Sequence, residues 1–366
     1  MRVLHLADRL STRGGADHHL RDVLTRQATR HTVKLLVGRV ALGLSPPDGV
    51  SLGRAPALGL TDEGPRGLDA LRQSITDADV VHLHNVMNPA VLRLAVASKK
   101  AIITLQDHRA FCPGPGRTLP EGVACERTPG PAACASCLPE PVYRERLCGV
   151  TESRWEAMEG ARFVVLSGYM AAELARLGRP GAAVIPPWVT VRPKPTPPGR
   201  AFVLGGRLVS HKDPLFAWAA WRDSGVDAPL WLAGDGPLAA QLVGAEPLGW
   251  LSRRALRETL AKSRALLFPT RWQEPFGILG VEALAEGRPV IAARRGGVGD
   301  WADAGVVCVA PDDHAGMVEA IVALHRDDAL AARLGEEGRE FVQARFSEAH
   351  LSAKLEALYA EVTGGG

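Results

Sequence analysis

The chain has 366 residues, 46% of them hydrophobic and 23% charged, with a formal net charge of +3. That length is long for one core and indicates two domains. The charge is too small to argue for a nucleic-acid partner, and no apolar run approaches the ~18 residues of a membrane span.

The N-terminus begins on an apolar run with no signal-peptide layout, so a cytoplasmic protein is expected, with peripheral membrane contact left open. Buried parallel strands are expected at 3–7, 33–37, 80–83, 101–105, 163–166 and 184–185. A helix at 16–28 would place Leu20, Val23 and Leu24 on one face. Just before it lies Arg13-Gly14-Gly15-Ala16. This is no dinucleotide fingerprint. Paired glycines at 14 and 15 either turn N–H groups toward a ligand or make a tight turn. Gln106 and His108 follow the strand at 101–105. His108 is open to three readings: acceptor contact, metal ligand or structural histidine.

Five of the six cysteines fall between Cys112 and Cys148, among many Gly and Pro residues. An insert of that composition, 112–148, has little apolar matter with which to fold. A staple is therefore expected: structural zinc, or an iron–sulfur cluster, on Cys112, Cys125, Cys134 and Cys137. Disulfides and free thiols are the alternatives. Cys308, in an expected strand, reads as core.

A Pro-rich stretch at 186–198 follows and reads as a stiff linker. It separates a first domain, 1–190, from a second, 200–345, with the linker proper at 191–199. The second domain has expected strands at 201–205, 230–233, 265–268, 290–293 and 306–309, then two helices over 313–343. A last helix over 348–361 would put Leu351, Leu355 and Leu358 on one face. The expected architecture is α/β: two doubly wound domains with a crevice between the carboxyl ends of their strands.

Arg207 and Lys212 follow the first strand of the second domain and both can reach one phosphate. Gly234 opens a turn after the next strand, and Gly249-Trp250 precedes a helix. Trp250 reads as a core or rim aromatic. The densest signal lies at 274–282. Glu274 and Glu282 are eight residues apart, and Phe276, Gly277 and Ile278 open a helix between them. Ile278, Val281 and Ala285 share one face, with Glu282 pointing away from it. A helix N-terminus attracts phosphate, and flanking carboxylates accept from hydroxyls. Phosphate flanked by hydroxyls describes a nucleotide sugar.

The segment 274–282 resembles the E-x7-E motif of the retaining family-4 glycosyltransferases with the GT-B fold. Arg207 and Lys212 resemble that family's G-R-L-x-x-x-K element. The resemblance implies two Rossmann-like domains and a last helix, within 346–366, that returns to the first. It also implies a nucleotide-diphosphate sugar donor, a carbohydrate or small-molecule acceptor, and no catalytic metal. Arg207 and Lys212 would hold the diphosphate, Glu274 the sugar, Glu282 the ribose, and Gly234 and Trp250 would lie near the nucleotide. Gly14 and Gly15 would lie near the donor phosphates and acceptor. Many relatives carry a reacting-sugar histidine where this chain has Gln106. The alternatives are a catalytically weak nucleotide-sugar-binding protein and a GT-B phosphorylase or epimerase.

Overall fold

The structure is a computed structural model and describes residues 1–60 and 68–364. It forms two compact units, Met1–Pro186 with Leu351–Gly366, and Pro187–His350. The last two residues of the segment 346–366 lie outside the described residues.

The first unit is a parallel sheet in the order β3-β2-β1-β4-β5-β6-β7. Its strands are β1 (Arg2–Leu10), β2 (Thr32–Val40), β3 (Val50–Arg54), β4 (Val80–His84), β5 (Ala101–Leu105), β6 (Arg162–Val165) and β7 (Ala183–Val184). The connecting helices are α1 (Gly15–Ala28), α2 (Leu68–Asp77), α3 (Pro89–Ala97), α4 (Pro141–Ala157) and α5 (Gly168–Arg176). Every residue of β4 and β5 is buried, including His82, His84 and Thr104 among the apolar side chains, as in a parallel sheet covered on both faces. β3 was not expected. It is an edge strand with one buried residue in five, so it carries almost no hydrophobic signal.

The second unit repeats the plan in the order β10-β9-β8-β11-β12-β13. These are β8 (Phe202–Arg207), β9 (Leu230–Asp235), β10 (Glu246–Pro247), β11 (Ala265–Phe268), β12 (Val290–Ala293) and β13 (Val306–Val309). Its helices are α6 (Pro214–Asp223), α7 (Arg253–Lys262), α8 (Ile278–Ala285), α9 (His314–Arg326) and α10 (Asp328–Arg345). Cys308 is exposed, not core, on β13 at the edge of the sheet. The Pro-rich stretch lies along this unit. Arg192 N–H donates to the Ala285 carbonyl at 2.9 Å, and Thr196 Oγ1 donates to the Ala261 carbonyl at 2.6 Å. In both sheets the strand order reverses beside the first strand, between β1 and β4 and between β8 and β11. Ligands of open α/β sheets bind at the carboxyl ends of such strands.

The final helix, α11 (Glu348–Gly364), buries Leu351, Leu355 and Tyr359. Tyr359, rather than Leu358, completes the stripe, because its hydroxyl has a partner in the sheet. His82 Nδ1 lies 2.7 Å from that hydroxyl, and His82 Nε2 lies 2.6 Å from Thr104 Oγ1. His5 Nδ1 and His84 Nε2 are 3.1 Å apart. Among the described residues, His5, His82 and His84 are the one set of three or more ligating side chains with donor atoms mutually within 4.8 Å. Yet the rings of His5 and His84 stack at 5.3 Å and 22°, and both nitrogens of His82 are engaged. The rings do not converge on a common point. Burial, then neighbouring His31, pushes His5 down to about 3, and His82 and His84 are held well below the ordinary histidine value, again chiefly by burial.

These histidines make the first unit acid-sensitive. Each is neutral when folded and free to protonate when unfolded. Their contribution is therefore intact above pH ~6.5 and falls as pH drops below it, by up to ~1.4 kcal/mol per pH unit for each histidine. Urea unfolding followed by circular dichroism should show the first unit's transition at lower urea at pH 5 than at pH 7.5. An unchanged midpoint would contradict the neutral stack.

Candidate functional site

The candidate site sits at the strand-order reversal of the second unit. β8 ends at Arg207, whose side chain is exposed. The next loop carries His211 and Lys212 and is tied down at His211, whose carbonyl accepts from Arg271 N–H at 3.1 Å. The His211 ring lies 4.9 Å from that of Trp272. Burial, then Lys212 and Arg207, pushes His211 down to about 4. It is therefore neutral near pH 7, and the loop's positive charge belongs to Arg207 and Lys212.

β11 leads into the loop that holds Glu274. This carboxylate is buried. It accepts from Lys212 Nζ in a short contact and from Thr270 Oγ1 at 3.1 Å. Its backbone is clamped as well, since Gly297 N–H donates to the Glu274 carbonyl at 2.7 Å. Gly277 then opens α8 at φ +85°, a left-handed conformation that favours glycine. Beneath it, Trp301 is fully buried and its Nε1–H donates to the Phe276 carbonyl at 2.6 Å. A Cβ on Gly280 would lie 2.2 Å from the Trp301 ring, so the first turn of α8 rests directly on the indole. The N–H groups of a first helical turn have no intrahelical acceptors and favour an anion.

Glu282 is buried, in a helix whose residues from Gly280 to Ala285 are all buried. Arg253 Nε donates to Glu282 Oε1 at 2.9 Å, which neutralises the buried charge. Phe276 is core, its ring 5.5 Å from that of Phe346, so it offers a ligand only its backbone. Ile278 is half-buried at the start of α8. Trp250 is exposed, which excludes the core reading and leaves its face open. Gly234 pairs with Gly206, and a Cβ there would lie 1.8 Å from the Gly206 carbonyl oxygen. Thr270 and Arg253 carried no sequence signal. Arg253 acts on a carboxylate 29 residues away, whereas Thr270 reaches Glu274 within one loop.

In the first unit, Gly14 caps α1 with an extended backbone. Gln106 Nε2 donates to the Ala16 carbonyl at 3.2 Å and lies 3.1 Å from His19 Nδ1. It binds the end of β5 to the start of α1. His108 is buried, with Nε2 3.1 Å from the Tyr169 hydroxyl. That setting fits the structural reading of His108.

The structure gives the expected metal site no support. Cys112, Cys125, Cys134 and Cys137 line one cavity of about 10 Å³. Their sulfurs are not among the described groups gathered within 4.8 Å. Cys148 lies in α4, its thiol pushed up to about 11 by burial and by Cys134. The staple that the structure does show is an arginine. Arg117 is buried, donates from Nε to Glu173 Oε2 at 2.6 Å and from Nη1 to the Arg127 carbonyl at 2.7 Å. Arg176 shares Glu173 at 2.7 Å. Composition pointed to the cysteines because Arg117 and Glu173 are 56 residues apart.

Residues 200–327 match the sequence profile described as "Glycosyl transferases group 1". The second unit thus resembles the group 1 glycosyltransferases, and the chain has the GT-B fold. Its curated relatives include a glycogen synthase of Mycobacterium tuberculosis, 27% identical over 52% of each chain. Another is the lipopolysaccharide core glycosyltransferase LpsD of Rhizobium meliloti, 32% identical over 50% of this chain and 59% of that one. The chain thus spans about half the length of the curated relatives it matches. Two solved structures share its fold along nearly their whole length. Anabaena HepE, in complex with UDP and glucose, has a TM-score of 0.71 at 15% identity, over 98% of this chain and 99% of that one. Sucrose-phosphate synthase of Thermosynechococcus elongatus has 0.72 at 17%, covering both chains fully.

The arginine staple makes a prediction. Arg117→Ala removes a buried guanidinium and one of the two arginines that meet the part-buried Glu173, and should open residues 112–140 to proteolysis and their thiols to Ellman's reagent. Cys134→Ala with Cys137→Ala should open them less. The reverse ranking would refute the staple.

Proposed function

We propose that this glycosyltransferase moves a sugar from a nucleoside-diphosphate sugar to a hydroxyl acceptor with retention at the anomeric carbon. The observation that carries the reading is the buried Glu274, held between Lys212 and Thr270 just before the first turn of α8. A cation, a carboxylate and unpaired helix N–H groups at one strand-order reversal suit a phosphate bonded to a polyol. The relatives' names support the reaction class, and HepE's complexes with UDP and with UDP-glucose support the donor class.

In this reading Arg207, Lys212 and the N–H groups at Gly277 and Ile278 bind the diphosphate. As the bond from anomeric carbon to phosphate oxygen breaks, charge grows on the leaving diphosphate, and these fixed donors stabilise it. No metal is needed at that centre. Glu274 accepts from sugar hydroxyls and orients the anomeric carbon. Glu282 accepts from the ribose, the exposed Trp250 ring stacks on the base, and the backbone at Gly234 lies near the nucleotide. Gly14, Gly15 and Gln106 belong to the acceptor side, and a carbohydrate, lipid-linked or small-molecule acceptor fits.

One observation favours the second reading, a nucleotide-sugar-binding protein with weak turnover. Gln106 stands where many relatives have a reacting-sugar histidine, and its side-chain nitrogen is already engaged by His19 and the Ala16 carbonyl. Transfer or hydrolysis of radiolabelled donor separates the two.

Glu274→Gln should cut turnover about tenfold to a hundredfold, the loss of one charge-assisted hydrogen bond of ~1.5–3 kcal/mol, while nucleoside-diphosphate affinity changes little. A folded variant with normal turnover removes Glu274 from the site. Arg207→Ala with Lys212→Ala should weaken free diphosphates and whole donors alike. Calorimetry showing unchanged affinity would remove the diphosphate assignment.

A further inference from the structure

α7 and α8 meet through a two-rung ladder of charges. α7 presents Arg253 and Arg257, one turn apart. Glu282, and Glu286 at the C-terminal cap of α8, are likewise one turn apart. The rungs differ. Glu286 is fully buried and accepts from Arg257 Nε at 2.5 Å and from Arg192. Arg257 also donates to the Thr190 carbonyl at 2.8 Å. This rung has its carboxylate wholly out of solvent and fastens the 190–192 backbone to the helix pair. The other rung lies toward the candidate site. Arg253 is the first residue of α7, three positions after the exposed Trp250, and its side chain remains a quarter exposed over a Glu282 that is 7% exposed.

We propose that Arg253 is a positioning residue for nucleoside recognition. It holds the Glu282 carboxylate ionised and oriented toward the ribose hydroxyls. The inference rests on Glu282 being the ribose ligand. A carboxylate this buried needs a permanent partner to stay charged, and a ribose arrives only with the substrate. Arg253 supplies that partner beforehand. The planar guanidinium directs its Nε–H along one line, so it fixes the position of Oε1, which a lysine ammonium on a flexible stem does not. The rung also sets α7 against α8, so the Trp250 end and the phosphate end keep one spacing.

The test uses calorimetry with UDP and GDP, each beside its 2′,3′-dideoxy analogue, on wild type, Arg253→Met and Arg253→Lys, with melting temperature as the check on folding. Wild type should bind the ribonucleotide about tenfold more tightly than the dideoxy analogue, the worth of a hydrogen bond to a charged group. Arg253→Met should lose that discrimination: its ribonucleotide affinity falls about tenfold while its dideoxy affinity holds. In donor assays KM should rise with kcat nearly constant, because ribose contacts are uniform between ground and transition states. Arg253→Lys should restore the melting temperature without restoring full ribose discrimination. If both nucleotides weaken equally in Arg253→Met, or neither does, the positioning role is overturned. If wild type itself fails to discriminate, Glu282 is not the ribose ligand and the reading beneath the inference falls first.

Discussion

Three buried glutamates along one short helix and its approach set the organisation of the second unit. Glu274, Glu282 and Glu286 are each nearly or wholly removed from solvent. An unpartnered carboxylate in that position would be strongly unfavourable. Each has therefore been met by a cation from elsewhere in the chain: Lys212 for Glu274, Arg253 for Glu282, and Arg257 with Arg192 for Glu286. These pairs tie the β8 loop, α7 and the Pro-rich stretch to α8. The geometry of the candidate phosphate site follows from where those partners must stand.

Close packing beneath the helix does the rest. Trp301 occupies the space that side chains at 277 and 280 would need, and it accepts no substitute for glycine at 280 without moving. Its hydrogen bond to the Phe276 carbonyl locks the turn before α8. The anion-facing N–H groups are thus placed by a rigid aromatic floor.

The first unit relies on polar groups in a different way. Its sheet carries three neutral histidines, and one of them meets Tyr359 of the last helix. Its irregular segment is held by a buried arginine and Glu173. The histidines are kept neutral because charging them would strand cations in the core. The arginine is met by a carboxylate and a carbonyl.

The sequence by itself determined the α/β plan, because central parallel strands are buried on both faces and read as short, largely apolar runs. It also singled out Glu274, Arg207 and Lys212 as candidates, since short motifs around a turn are local. Tertiary structure decided everything that depends on distant partners. Edge strands such as β3, and the exposed Cys308 on β13, carry no burial signal in the chain. The pairing of the buried Glu282 with Arg253 spans 29 residues. The cysteine spacing suggested a metal staple, which the structure does not support. The Arg117–Glu173 contact that ties the same segment joins residues 56 apart, a separation at which pattern has no reach and only the folded chain brings charges together.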